Sequence, residues 1–198
     1  MEPDQIVVVS GLPRSGTSML MRMLRAGGLA IMTDGIRAAD DDNPLGYFEL
    51  ETVKRTKRDA TWLDTAAGKA VKVVSTLLPD LPSKYCYRIV FVRRDLDEVL
   101  ASQRAMLARR GEVDADDESS IRRAFVAHVA DIEDWLRAQP NVETLFVSFQ
   151  QTIEAPRRAA ERINRFLGGG LSIDRMAESV EPGLYRQRRP RTETGGCS

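Results

Sequence analysis

The stretch "VVVSGLPRSGTSML", residues 7–20, constrains this chain more than any other. Consecutive valines with no polar alternation read as a strand buried on both faces, the kind found in parallel sheets. The run breaks at Gly11, a second glycine follows at Gly16, and "TSMLMRMLRAGG" then carries apolar residues at helical spacing up to Gly27–Gly28. A strand, a glycine turn and a helix in that order aim backbone N–H groups and the positive helix end at one point, which makes an anion site. Its expected donors are Ser15, Gly16, Thr17 and Ser18. The spacing nearly matches the phosphate loop GxxxxGK[ST], but Thr17 stands in the lysine position and Arg14 lies three residues before it.

The rest of the chain repeats the alternation of strand and helix. "KAVKVVSTLL" reads as a short strand, "YCYRIVFVRRD" as a strong one and "NVETLFVSF" as another. Between them, "DLDEVLASQRAMLARRG" has a helix start at Asp95 with Glu98 three residues on and a stop at Gly111. "SSIRRAFVAHVADIEDWLRAQ" is a long amphipathic helix, and "APRRAAERINRFLGGG" a closing one with Pro156 in its first turn. A further helix is expected through "LETVKRTKRDATWLD", and an irregular, arginine-rich segment from about Ser172 onward. The expected fold is a single α/β domain over residues 1–198. It has three layers in a P-loop-like arrangement, with a mostly parallel sheet of about four to five strands between helices. Ligands in such sheets bind at the carboxyl ends of the strands, where the glycine loop and "RRD" both fall.

The formal net charge is zero, so no global field recruits nucleic acid or an anionic membrane. The 24 arginines against 5 lysines suit bidentate phosphate contacts but follow equally from genome composition, so the composition alone decides nothing. Cys86 and Cys197 form neither a disulfide framework nor a metal spacing. No apolar run approaches the ~18 residues of a membrane span, and a strand beginning by about Ile6 leaves no room for a signal peptide. A cytoplasmic setting is expected.

A nucleophile elbow is excluded, because the glycine positions around Ser15 are Pro13 and Thr17 and the sole histidine is His128. An ordinary kinase or ATPase loop would carry a lysine for the β/γ-phosphates and a magnesium carboxylate after a strand. Asp95 is the nearest such acid and reads better as a helix cap. "PRSGTS" instead resembles the 5′-phosphosulfate loop of the sulfotransferases, which use 3′-phosphoadenosine 5′-phosphosulfate (PAPS). "FVRRDLDEVLASQ" resembles their 3′-phosphate motif, an arginine at a strand end followed eight residues later by a serine, here Arg94 and Ser102. "NPLGYFE" and "SFQQTIEAPRRAAERINRFLG" are similar to segments of small bacterial members, so the resemblance runs from about Ile6 to Leu167.

The resemblance implies PAPS as co-substrate, no metal, and a small acceptor with a hydroxyl or amine. It implies a catalytic cation at Arg14 and a 3′-phosphate site at Arg94 and Ser102. Arg93 should point to the opposite face from Arg94. In the family a C-terminal basic loop folds over the nucleotide; its glycine-rich signature is absent here, so Arg186, with Arg188 and Arg189 near it, reads either as that contact or as a disordered basic end. The family's base, a histidine or glutamate near the second strand, has no counterpart beside Lys72. Glu49, beside the aromatics Tyr47 and Phe48 that would desolvate it, is the best remaining candidate, and His128 reads as a packed residue on a helical stripe. Two other readings stay open: a P-loop kinase of nucleosides or small molecules, and a non-catalytic nucleotide-binding module. The short acidic run Asp40–Asp42 reads as a solvated loop.

Overall fold

A computed structural model describes residues 5–40, 43–111 and 117–185. Five parallel strands form one sheet in the order β2-β3-β1-β4-β5. They are β1 (Ile6–Gly11), β2 (Ile31–Met32), β3 (Ala70–Lys72), β4 (Tyr87–Arg93) and β5 (Val142–Ser148). β1 lies at the centre, with Val9 opposite Lys72 of β3 and Gly11 opposite Val92 of β4. That register brings the carboxyl ends of β1, β3 and β4 together, with the glycine loop and the "RRD" motif at two of them.

The unbroken valine run is explained by burial on both sides. Val7 and Val9 join one core cluster and Ile6 and Val8 the other, so the period of two divides an apolar run between two faces. On the first face lie α1 (Thr17–Ala26), α5 (Pro156–Phe166) and α6 (Ile173–Glu178). The second is covered by α3 (Glu118–Ala138), through Ile132 and Leu136, and by 3-10 turns carrying Trp62, Leu63 and Leu78. The remaining helices are α2 (Leu96–Arg110) and α4 (Phe149–Glu154). The result is the three-layer α/β domain with a parallel sheet that the sequence predicts.

Two local expectations are corrected, and one short strand that no pattern announced is added. "LETVKRTKRDATWLD" forms two 3-10 turns, Glu51–Arg55 and Thr61–Thr65, not one α-helix. Thr56 ends the first turn by bonding back to Val53 and accepts from the Trp62 indole N–H at 3.1 Å, which ties the second turn to the first. β2 is an edge strand of two residues, too short to leave a pattern. The segment after Ser172 is not irregular up to Tyr185. It contains α6, whose buried Met176 packs where Gly27 has no side chain, with a Cβ there only 2.7 Å from Met176 Cγ. The capped start of α2 stands as predicted: the Asp95 carboxylate accepts from the Asp97 and Glu98 N–H groups, and Gly111 closes the helix at φ 69°.

Candidate active site

A cavity of about 340 Å³ opens at the carboxyl ends of β1, β3 and β4. Its floor is the turn between β1 and α1. Gly16 caps α1 at φ 105°, and Arg14 takes a left-handed φ of 66°, a strained conformation for a residue with a side chain. A Cβ on Gly16 would lie 2.3 Å from the Phe149 ring, so the glycine lets the turn seat directly on that ring. The first N–H groups of a helix have no intrahelical acceptor, and here Gly16, Thr17 and Ser18 line the cavity at that end. Ser15 stands apart. Its N–H donates to Leu12 O at 3.1 Å, and its hydroxyl is buried beneath the loop without a partner, against Gly11.

Arg14 ties together the two motifs. Its Nε donates to Ser102 Oγ at 3.0 Å, and its carbonyl accepts from Arg94 at 3.0 Å. These contacts span 88 and 80 residues of sequence. Ser102, nearly two turns into α2, therefore meets the loop although its spacing from Arg94 alone would not require it. Arg94, with its side chain largely shielded from solvent, donates through Nε to Glu98 at 3.0 Å and stacks 4.4 Å from the Phe149 centroid. Tyr185 covers the same guanidinium at 5.3 Å, packs edge-on to Phe149, and its hydroxyl donates to Glu98. Arg93 points the other way and forms a two-bond pair with Glu133 of α3, at 2.7 and 2.6 Å.

The opposite wall holds groups that sequence reasoning did not bring together. Lys72, at the end of β3, donates to Tyr47 O at 2.5 Å and to Glu49 Oε1 at 3.3 Å. The same carboxylate oxygen accepts from Arg37 at 3.0 Å. Ser18 Oγ adds a second bond to Tyr47 O at 3.2 Å. Burial pushes the Lys72 ammonium below its ordinary pKa, against the opposing pull of Glu49. Burial and the hydrogen bond to Asp40 push the Tyr47 phenol up. Phe48 is twisted to φ 53°, which sends its ring into the core, 4.7 Å below Arg25, and leaves Tyr47 and Glu49 on the cavity. So one aromatic neighbour of Glu49, not two, shares its side of the chain. No acid stands beside Lys72 in sequence, but Glu49, 23 residues away, meets it in space.

His128 lies outside this cavity and bonds Ser75 Oγ at 2.9 Å. Arg186, Arg188 and Arg189, like Asp41 and Asp42, fall outside the described residues. Among the described residues no group of three or more His, Cys, Asp or Glu could hold a metal ion. No helix there is long and apolar enough to cross a membrane.

A glycine turn, a helix N-terminus, Arg14 and Arg94 meet at one cavity of an α/β protein with a P-loop-like fold. The chain belongs to the sulfotransferase domain family, whose model matches residues 3–186. Its fold is that of solved sulfotransferases. A mouse sulfotransferase complexed with PAP, the 3′,5′-bisphosphoadenosine, aligns at 16% identity and TM-score 0.53, over 90% of this chain and 63% of that one. Retinol dehydratase in complex with androsterone and PAP aligns at 16% and 0.51, over 94% and 65%. The sulfotransferase domain of an olefin synthase from Synechococcus PCC 7002 aligns at 15% and 0.58, over 96% and 90%. The chain thus spans less than two thirds of the first two relatives and nearly all of the third. No curated protein matches it significantly.

Proposed function

We propose that this protein transfers a sulfuryl group from PAPS to a hydroxyl or amine of a small acceptor. The observation that carries this reading is the convergence of Arg14, Ser102 and Arg94, from two separate motifs, on one cavity at a helix N-terminus. A phosphosulfate fits that floor, because its charge is met by helix N–H groups and a cation without a triphosphate lysine. Arg94 and Ser102 hold the 3′-phosphate. Support also comes from the relatives whose structures contain PAP.

In the reaction, the bond from sulfur to the bridging phosphate oxygen breaks as a bond from sulfur to the acceptor oxygen or nitrogen forms. Negative charge collects on the leaving phosphate oxygen and spreads over the sulfuryl oxygens, so positioned cations lower the barrier. Arg14 serves the leaving oxygen as a fixed charge, since a guanidinium keeps its proton at neutral pH. Lys72 supplies a second cation across the cavity, held in place by Tyr47 O and Glu49. Glu49 takes the proton from the acceptor, and PAP leaves. The arrangement of Lys72, Glu49 and Arg37 on the acceptor side favours an enzyme over a binding module.

The test is transfer of label from ³⁵S-PAPS across a panel of phenols, alcohols and amines. Labelled product with wild type, lost in Arg14→Ala and in Lys72→Met, supports the reading. Label that remains in PAPS with every acceptor, while PAP binds, favours the non-catalytic module.

A further inference from the structure

The group facing Arg94 from the first turn of α2 is an anion. Glu98 lies one turn beyond Arg94, its side chain is 7% exposed and that of Arg94 8%, and the pair meets at 3.0 Å. The other carboxylate oxygen accepts from the Tyr185 hydroxyl. The carboxylate is therefore fixed at both oxygens, in a position shielded from solvent. The guanidinium it engages is the one to which the proposed function assigns the nucleotide's 3′-phosphate, and the inference rests on that assignment. The ring centroids of Phe149 and Tyr185 lie 4.4 and 5.3 Å from the guanidinium carbon, so the two rings shield it where it does not face the cavity.

We propose that Glu98 is an internal counter-anion of the 3′-phosphate subsite, limiting how tightly a 3′-phosphorylated nucleotide is held. Two consequences follow from charge and burial. First, without a ligand, a buried arginine left unpaired would be costly, and Glu98 removes that cost from the empty protein. Second, with a ligand present, the carboxylate and the phosphate share one guanidinium and repel each other across it. Low solvent exposure keeps that repulsion from being screened away. The affinity that Arg94 gives the 3′-phosphate is thereby moderated, which eases departure of the spent donor after transfer. Tyr185 extends the device to the segment after α6, because its hydroxyl holds the second oxygen of Glu98 and its ring covers Arg94.

Glu98→Gln separates charge from shape. A glutamine oxygen can still accept from Arg94 Nε, and its amide can donate to the tyrosine oxygen, so both contacts survive while the negative charge is lost. The experiment is calorimetric titration of wild type and Glu98→Gln with PAP and with adenosine 5′-monophosphate, which differ only in the 3′-phosphate. Circular dichroism confirms folding. The expected result is a PAP-to-monophosphate affinity ratio about tenfold higher in Glu98→Gln than in wild type, with monophosphate affinity little changed. A ratio unchanged or lowered in Glu98→Gln would overturn the inference. If Glu98→Gln does not fold, Glu98→Met, neutral and of similar volume, is read by the same ratio. A wild-type ratio near one would instead overturn the assignment of Arg94 to the 3′-phosphate, a failure distinct from that of Glu98.

Discussion

Replacing Gly16 by alanine is expected to damage the protein through two separable effects. The backbone at this cap sits at φ 105°, ψ 16°, where an L-residue with a Cβ is strained by about 1–2 kcal/mol. The added methyl would also lie 2.3 Å from Phe149 Cδ2 and 2.7 Å from Cε2, and the ring is buried with little room to retreat. Overpacking of that kind costs about 1–3 kcal/mol. The sum, about 2–5 kcal/mol, is a large part of the ~5–15 kcal/mol that holds a domain together. Urea unfolding monitored by tryptophan fluorescence measures the loss, as a lower midpoint with an unchanged slope. Repeating the substitution in a Phe149→Ala background isolates the clash, because only the backbone cost of about 1–2 kcal/mol should remain there. A Gly16→Ala protein within ~0.5 kcal/mol of wild type, or an equal loss in both backgrounds, would refute the reasoning.

Other outcomes follow from the same geometry. Ser102→Ala removes the acceptor of Arg14 Nε and should weaken PAP binding about fivefold to tenfold, read by calorimetry. Arg93→Ala, whose partner Glu133 lies on the other face, should leave PAP affinity within about twofold of wild type, as expected for an exposed pair outside the cavity. Lys72 gives a pH signature. Its folded pKa lies below the ordinary 10.5, so between the two values the unfolded chain binds more protons and stability rises with pH. Wild type should therefore gain stability relative to Lys72→Met as pH climbs toward 10.5 in paired urea melts, and parallel curves would count against it. Tyr87 runs the opposite way: burial raises its pKa above 10.0, so stability should fall above that pH in wild type more than in Tyr87→Phe.

What the sequence disclosed depended on how local the physics was. β1, the glycine turn and α1 were legible because an apolar run, two glycines and a helical period lie side by side. The start of α2 was legible because a cap acts within one turn. β2 and α6 were not, since two and six residues carry no period and depend on the packing of partners such as Met176 and Gly27. The 3-10 turns around Trp62 share the composition of a helix, and only the bond from its indole to Thr56 reveals their geometry. Within the site, residues carried by motifs were found by pattern. Lys72 and its link to Glu49 were not, because parallel pairing of β3 with β1 and a twisted Phe48 bring them together across 23 residues. A lysine ending a short strand beside the loop strand was the available signal. Glu98 read only as a helix-start residue because its partnership with Tyr185 spans 87 positions.

The central claim is that a lysine-free loop and Arg94 together hold a 3′-phosphorylated adenine nucleotide without a metal. The most direct test is calorimetry of the protein with PAP in the presence of a chelator, against ATP with magnesium, and again in Arg94→Ala. The account predicts tight binding of PAP in chelator, weaker binding of ATP–magnesium, and loss of the PAP preference in the variant. Preference for ATP–magnesium, or equal PAP binding by Arg94→Ala, would contradict it.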